Sequence, residues 1–412
     1  MKTVYNGSRR YSIETEMKIR SKSVTEYIMR EITHICRSMK KRAPGSEGER
    51  EAAEYMAKTL ENECGCENVV TESFSLHPGA FYGYLYFSCV FDVLTCALFF
   101  VNGWCSIAAG VISLLLFLLQ FVLYYEIIDP FFPKADSVNV TAIRPCNGET
   151  KRRIFINGHV DAAWEWPLNY YFNGIVFEAH GVVAVVGVLY YIALSICRLA
   201  GAGKWVLTAG LIGIVFVPAW IGLCFLRNKR LVVDGANDNL TGCYLGIAVL
   251  KEMEEQGITF ENTEIGVILT GSEESGLRGA KAWCKAHKEE FSDVPTYIYS
   301  FDTIHDPKFL MVNKRDLNST LKADAELADL FLKGAENAGV PCKSGYVPPM
   351  GGATDSAAFT KGGFRSIGIT GLNHKLEDYY HTRRDSYDNL NAEGIENCYK
   401  AIVHTIRLID KM

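Results

Sequence analysis

The sequence predicts an α/β fold, a mixed and mostly parallel β-sheet flanked by helices, into which four transmembrane helices are inserted as two hairpins. Three observations predict it. Short β-branched or aromatic runs alternate with amphipathic stretches over most of the chain. Two blocks, Tyr82 to Tyr125 and Ala179 to Leu226, hold nearly all the excess apolarity. The chemistry-bearing residues stand where predicted strands end. Of 412 residues, 49% are hydrophobic and 22% charged, which excludes a largely disordered chain. Lys and Arg number 42 against 47 Asp and Glu, and a net charge of −5 argues against a nucleic-acid binder.

In chain order, Ser23 to Met39 is amphipathic, and Ser46 opens a second helix through Leu60 whose first-turn Glu47 and Glu49 suit the helix dipole. Strands are predicted at Val69 to Phe74, Ser137 to Ile143, Arg153 to Ile156, Glu264 to Thr270, Thr296 to Phe301 and Ser366 to Ile369. Helices are predicted at Cys243 to Gln256, Leu277 to Glu290, Ala323 to Ala338 and Glu393 to Asp410.

Each apolar block holds two runs of about 20 residues, enough to cross about 30 Å of hydrocarbon. The breaks are Asn102-Gly103 and Ala200 to Lys204; Trp104, Tyr124, Tyr125 and Trp205 stand near the expected interfaces. Residues 1–80, 127–178 and 227–412 therefore form one domain, with hairpins at 82–126 and 179–226. Both hairpins have even parity, so these soluble pieces share one side and can assemble. Asp92 interrupts the first span, where the alternatives are a functional intramembrane carboxylate and, as expected here, one that faces a neighbouring helix or lies near a helix end. Lys134, Arg227, Lys229 and Arg230 lie beside the spans on the domain side, against Arg198 and Lys204 on the other, which favours a cytoplasmic domain in an integral, multi-pass protein. The stretch from Met1 to Arg20 is polar and carries no apolar core of a secretory signal. The 13 cysteines are odd in number and scattered, which suits reduced packing residues; Cys64 and Cys66 are too isolated to make a metal or redox site.

The predicted strand Ile154 to Ile156 runs into His159, with Asp161 two residues on, a spacing that lets a carboxylate hold the second ring nitrogen of a metal-bound imidazole. A turn of small and amide residues carries Asp238. The next strand leads to Glu273 and Glu274, adjacent carboxylates that must point apart, so one can bind metal while the other moves protons. Asp302 ends a further strand and His381 follows Tyr379-Tyr380. Ligands of open α/β sheets bind beyond the carboxyl ends of strands, so these groups can converge. Three oxygen ligands and two imidazoles suit two divalent ions bridged by Asp238, with zinc the metal for mixed His/carboxylate ligation.

The pieces Gly158-His159-Val160-Asp161, Gly235 to Gly242, Glu273-Glu274-Ser275-Gly276-Leu277, Asp302, Gly352 to Phe359 and His381 to Asp385 together resemble the MH-clan zinc peptidases. That family of co-catalytic aminopeptidases also includes glutamate carboxypeptidase II and, more distantly, glutaminyl cyclases. The resemblance implies two zinc ions per chain, one on His159 and Asp302, the other on Glu274 and His381, with Asp238 shared. It makes Glu273 the general base and Asp161 the residue that orients His159. It also implies a peptide substrate with a free amino terminus. Tyr379 or Tyr380 is a candidate for steadying the oxyanion, and Asp355 for substrate contact or for fixing its glycine-rich turn. His374 competes with His381; Thr382 and Asp385 following His381 fit the family pattern. The two insertions depart from it. Only 12 residues separate Leu226 from Asp238, so the carboxylate lies within about 40 Å of the last span, and substrates are expected along the membrane, with Trp164 and Trp166 near the cleft or interface. Competing readings are a carboxypeptidase-like, cyclase-like or other amide reaction on the same scaffold, and a catalytically silent membrane scaffold.

Overall fold

A computed structural model of the chain describes residues 19–373 and 378–412; His374 and most of the amino-terminal stretch lie outside them. Helix α1 (Ser21–Ser38) buries Val24, Ile28, Ile32 and Ile35, a spacing that puts one apolar stripe against the helices Thr241–Gln256 and Ala392–Asp410. Ser46 caps α2 (Glu47–Glu63), its hydroxyl accepting from Glu49 N at 3.3 Å.

Eight strands form one sheet: β1 (Asn68–Leu76), β2 (Ala135–Arg144), β3 (Arg152–His159), β4 (Thr263–Thr270), β5 (Thr296–Ile304), β6 (Met311–Asn313), β9 (Lys343–Gly345) and β10 (Arg365–Gly371). Between β6 and β9 the chain makes a separate two-residue ribbon, β7 (Arg315–Asp316) with β8 (Leu321–Lys322). The order is β1-β2-β4-β3-β5-β10-β6-β9. Strands β4, β3, β5 and β10 are mutually parallel, whereas β1, β2 and β6 pair antiparallel with their neighbours towards the edges. The parallel strands are apolar on both faces because helices cover both. Ile154 and Ile156 pack in the core with α1, α2, α9 (Thr241–Gln256), α11 (Ala325–Asn337) and α13 (Ala392–Asp410). Phe155 points the other way, into the core under α10 (Arg278–His287) and α12 (Asp355–Gly362).

Each predicted strand is present, and several run further than their apolar patterns. Strand β3 continues through Asn157, Gly158 and His159, held by parallel pairing to β4. Strands β6 and β9, three residues each, were too short to read, and α12 was not foreseen. All 13 cysteines are free thiols.

Both apolar blocks leave the domain and return to where they left. Leu76 at the end of β1 pairs with Ala135 at the start of β2, so α3 (Ala80–Phe99) and α4 (Gly103–Leu116, continuing as a wider helix to Val122) form an insertion at a closed stem. The second insertion follows the short helix α5 (Pro167–Tyr171). It comprises α6 (Gly174–Leu199), α7 (Trp205–Ile212) and α8 (Val217–Gly222), the last two joined by a tighter 3₁₀ turn just before Pro218. Its stem is closed by Val233 N to Ala163 O at 3.0 Å and Glu165 N to Leu231 O at 3.0 Å. Helix α6 begins five residues before the expected Ala179 because Asn173 caps it, accepting from Val176 N at 2.9 Å.

Among the described residues, four helices are long and apolar enough to cross a membrane, Ala80–Phe99, Gly103–Val122, Gly174–Leu199 and Trp205–Phe225. They meet through Ser195 Oγ to Ser106 Oγ at 2.9 Å, Tyr191 OH to Gly210 O at 2.7 Å and Trp220 Nε1 to Ala184 O at 2.9 Å. Their outer faces leave Val90, Val186, Ile196 and Val215 exposed. Trp104, Tyr125 and Trp205 are exposed, but Tyr124, expected at an interface, is buried with its ring centroid 4.7 Å from that of Phe81.

Trp283 joins the sheet to α10. It is 1% exposed, stacks on Phe291 at 5.5 Å and donates to Thr141 Oγ1 at 2.8 Å. Trp283→Ala is expected to cost about 3–5 kcal/mol, read as a lower urea midpoint, whereas Trp104→Ala at an exposed helix start should shift stability by no more than about 0.5 kcal/mol.

Candidate metal centre

The predicted ligands come from five separate segments that meet at the carboxyl ends of the parallel strands. His159 is the last residue of β3, and Asp302 lies near the end of β5. Asp238 sits in the kinked turn Ala236–Leu240 before α9, and Glu274 in the short turn after β4. His381 lies in the loop before α13 with φ of 51°, a left-handed conformation. A Cβ on Gly158 would stand 2.4 Å from Cys243 N, so only glycine lets the start of α9 come this close to β3. That approach brings Asp238 to His159.

The Asp238 carboxylate lies between the two imidazoles. Its Oδ1 is 3.2 Å from His159 Nε2 and its Oδ2 is 3.0 Å from His381 Nε2, while Glu274 Oε1 is 3.1 Å from the same His381 nitrogen. Ligand atoms of His159, Asp238 and Glu274 all fall within 4.8 Å of one another, and all three residues are buried. Glu273 Oε2 stands 3.9 Å from His159 Nε2. Asp302 lies outside the tight group but lines the same cavity, its carboxylate accepting from Thr303 Oγ1 at 2.9 Å.

The electrostatics fit a cation. Burial raises Glu273 well above the ordinary carboxylate range, His159 opposing and Glu274 adding to it. Burial and the nearby Asp238 push Asp302 up to about 8. His381 goes the other way: burial lowers its pKa, but Glu274 and Asp238 outweigh that and raise it to about 10. Burial likewise opposes ionisation of Asp238, yet the two imidazoles hold it below its ordinary value. Three buried carboxylates and the half-buried Asp302 thus crowd two imidazoles, and buried charges of one sign require pairing or metal coordination. Mixed imidazole and carboxylate donors suit zinc.

Other groups hold these residues in place. Asp161 was expected to orient His159. Its backbone O lies 3.3 Å and its carboxylate Oδ1 3.5 Å from His159 Nδ1, and the same carboxylate accepts from Glu273 N at 2.9 Å and Glu274 N at 3.0 Å. One residue therefore fixes both the ligand strand and the two-carboxylate turn. Asp385 accepts from Asn237 N at 2.8 Å and Asp238 N at 3.1 Å, clamping the Asp238 turn.

Three supporting residues escaped the sequence. Buried Arg42 donates to Val160 O at 2.7 Å and Gly235 O at 3.0 Å, joining the His159 and Asp238 segments. Glu49, read as a dipole-stabilising residue, is wholly buried and accepts from Ser272 N at 2.6 Å and Gly45 N at 2.8 Å. Burial and Asp161 raise it to about 8. Tyr124 lines the cavity near Glu273, where burial first and that carboxylate second raise its phenol well above the ordinary value. Its partners are distant in sequence, so no local pattern reveals these contacts.

The two tyrosines separate. Tyr380 lines the cavity, its ring stacked on His381 at 4.1 Å. Tyr379 is buried, with its ring 4.4 Å from that of His305. Asp355 stands at the start of α12 below the strand ends, accepting from Thr270 Oγ1 and from Asn157 Nδ2 at 3.4 Å, and does not line the cavity. Trp166 lines it, with its indole 4.3 Å from the His381 ring, whereas Trp164 lies under the Arg227 guanidinium at 4.8 Å.

Residues 225–406 match Peptidase family M28. No curated protein matches the chain. Among solved structures, a zinc aminopeptidase from Bacillus subtilis superposes with a TM-score of 0.58 at 12% identity, covering 96% of this chain and 96% of that one. The LapA aminopeptidase of Legionella pneumophila gives 0.53 at 13% identity, over 98% and 78%. A glutaminyl cyclase from Fimbriiglobus ruber gives 0.56 at 12% identity, over 97% and 99%. The fold is that of the zinc exopeptidases.

Asp385→Asn replaces an acceptor with an amide that faces the Asn237 and Asp238 N–H groups, leaving a buried donor unpaired. We expect zinc affinity to fall about 10- to 100-fold, measured by competition with a chromophoric chelator.

Proposed function

We propose that this chain is a membrane-anchored zinc exopeptidase, an aminopeptidase that removes residues from free peptide amino termini. The observation that carries the reading is the Asp238 carboxylate set between two imidazoles, with Glu274 on one of them and Glu273 beside the other facing the cavity. His159 and Asp302 would hold one zinc ion, Glu274 and His381 a second, and Asp238 both. Bound there, zinc supplies Lewis acidity, which polarises a carbonyl and lowers the pKa of water towards neutrality.

The chain's own groups do the rest. Glu273 takes a proton from the attacking water and delivers it to the leaving nitrogen. The Asp161 carboxylate, held by the Glu273 and Glu274 N–H groups, keeps Glu273 aimed at the cavity while Glu274 faces His381. Tyr380, on the cavity wall against His381, is the side chain best placed to donate to the developing oxyanion. The match to Peptidase family M28 supports a peptide substrate.

The four long apolar helices and their exposed outer faces support insertion in a lipid bilayer, since patches of that size are unusual on a soluble monomer. The charge asymmetry around them supports a cytoplasmic catalytic domain.

A peptide pool, half with free and half with acetylated amino termini, is expected to lose amino-terminal residues from the free half alone when incubated with the zinc-loaded protein. Mass spectrometry should show rates lower by at least about 100-fold for Glu273→Gln, with zinc content unchanged. Loss of ammonia or water from Gln or Glu termini without shortening would instead indicate cyclase chemistry. Sodium carbonate extraction should leave the protein in the membrane pellet; recovery in the supernatant would exclude spanning helices.

A further inference from the structure

The cavity at the metal centre has a volume of about 730 Å³ and does not end at the sheet. It passes Phe81, Tyr124 and Trp166 and continues between the two helical insertions. Leu85 of α3, Leu114 of α4, Ala184 and Val188 of α6 and Leu223 line its lower half. Phe81, Leu85, Ser88 and Asp92 are spaced four, three and four residues apart, so a single face of α3 forms one wall throughout. At the bottom the lining turns polar, with Ser88, Asp92 and Ser113. Ser88 Oγ and Asp92 Oδ1 are buried without a hydrogen-bond partner. The side of the cavity reaches the surface of α6 at Ile175, which is 71% exposed, and Val182, which is 54% exposed.

We propose that this channel receives a hydrocarbon tail, and that the substrate is an amphiphilic amide whose scissile bond lies at the metal centre while its tail extends between the helical insertions. The inference rests on the zinc exopeptidase reading above. Protein interiors are close-packed, and an unfilled space walled by Leu, Val and Phe forfeits contacts that a hydrocarbon would restore. The mouth, between Ile175 and Val182 with Glu178 at its rim, adjoins the apolar outer face of α6, from which a tail can enter while the carboxylate keeps to the polar side. From Phe81 to Ser88 is about 10 Å at 1.5 Å per residue, the length of roughly eight saturated carbons. Further methylenes would meet the Ser88 hydroxyl and the Asp92 Oδ1, which have no partner and which hydrocarbon cannot satisfy. The polar floor therefore sets a medium tail length.

The test is binding of n-alkyl hydroxamates with tails of two to sixteen carbons to the zinc-loaded full chain in phosphatidylcholine nanodiscs, measured by titration calorimetry. Affinity should rise about two- to fourfold per methylene up to roughly eight carbons, then level or fall. Ala184→Trp should flatten the rise. Val182→Trp, at an exposed position that tolerates bulk, should do the same if Ala184→Trp fails to fold, and the ratio to wild type cancels partition into the bilayer. Alkyl alcohols of equal length should displace the hydroxamates. Affinity independent of tail length overturns the proposal. So does occupancy by alcohols without displacement, which would mark a bilayer-lipid site separate from the centre. Short free-amino peptides assayed alongside separate the two readings: cleavage with no tail dependence overturns the channel alone, while tail dependence without cleavage supports the channel and overturns the peptidase.

Discussion

The Asp238 carboxylate between His159 and His381 is the contact on which the rest of the structure depends. It joins a turn before α9 to the end of β3 and to a loop near the carboxyl terminus. Each partner is held separately: Asp385 clamps the Asp238 turn, Arg42 ties it to the segment after His159, and Asp161 ties that segment to the Glu273-Glu274 turn. Asn239 completes the frame by donating to Phe301 O at 2.7 Å, beside Asp302. Buried N–H groups and carboxylates pair almost completely, and the geometry of the centre is the consequence.

That frame concentrates negative charge in an apolar interior. Burial and mutual repulsion raise the proton affinity of Glu273, Glu274 and Asp302, and the imidazoles offset only part of it. A cluster of this kind is costly as a packing device and sensible as a cation site. Glu49 shows how far the demand extends: a helix-opening residue is drawn inside to hold Ser272, two positions before Glu274.

The apolar insertions are built onto this domain without disturbing it. Each leaves and returns at a hydrogen-bonded stem, so the sheet closes as though the insertion were a loop. The stems also aim the insertions. The first brings Phe81 and Tyr124 to the edge of the centre, and the second brings Phe177 to stack on Trp166 at 4.2 Å. The cavity of the site and the space between the insertions are consequently one volume.

Much of this was legible in the sequence. Strand and helix periodicity marked the six longer strands, because each presents a run of β-branched or aromatic residues between turns. The residues that meet at the centre were identified because strand ends, small-residue turns and the ordered His, Asp, Glu-Glu, Asp, His series are local signals. The separation of Tyr379 from Tyr380, the position of Asp355 beneath the strands and the burial of Tyr124 were not local. Each depends on a neighbour more than 70 residues away: Tyr379 on His305, Asp355 on Thr270 and Glu273 beside Tyr124. The sequence alone determined the order of the longer strands and helices, the two apolar insertions and the candidate ligands. Only the tertiary structure decided which carboxylates face the cavity, which merely hold a turn, and that the cavity runs on between the helices. Side-chain direction at a strand end is set by the hydrogen bonds of distant segments, which no local periodicity encodes.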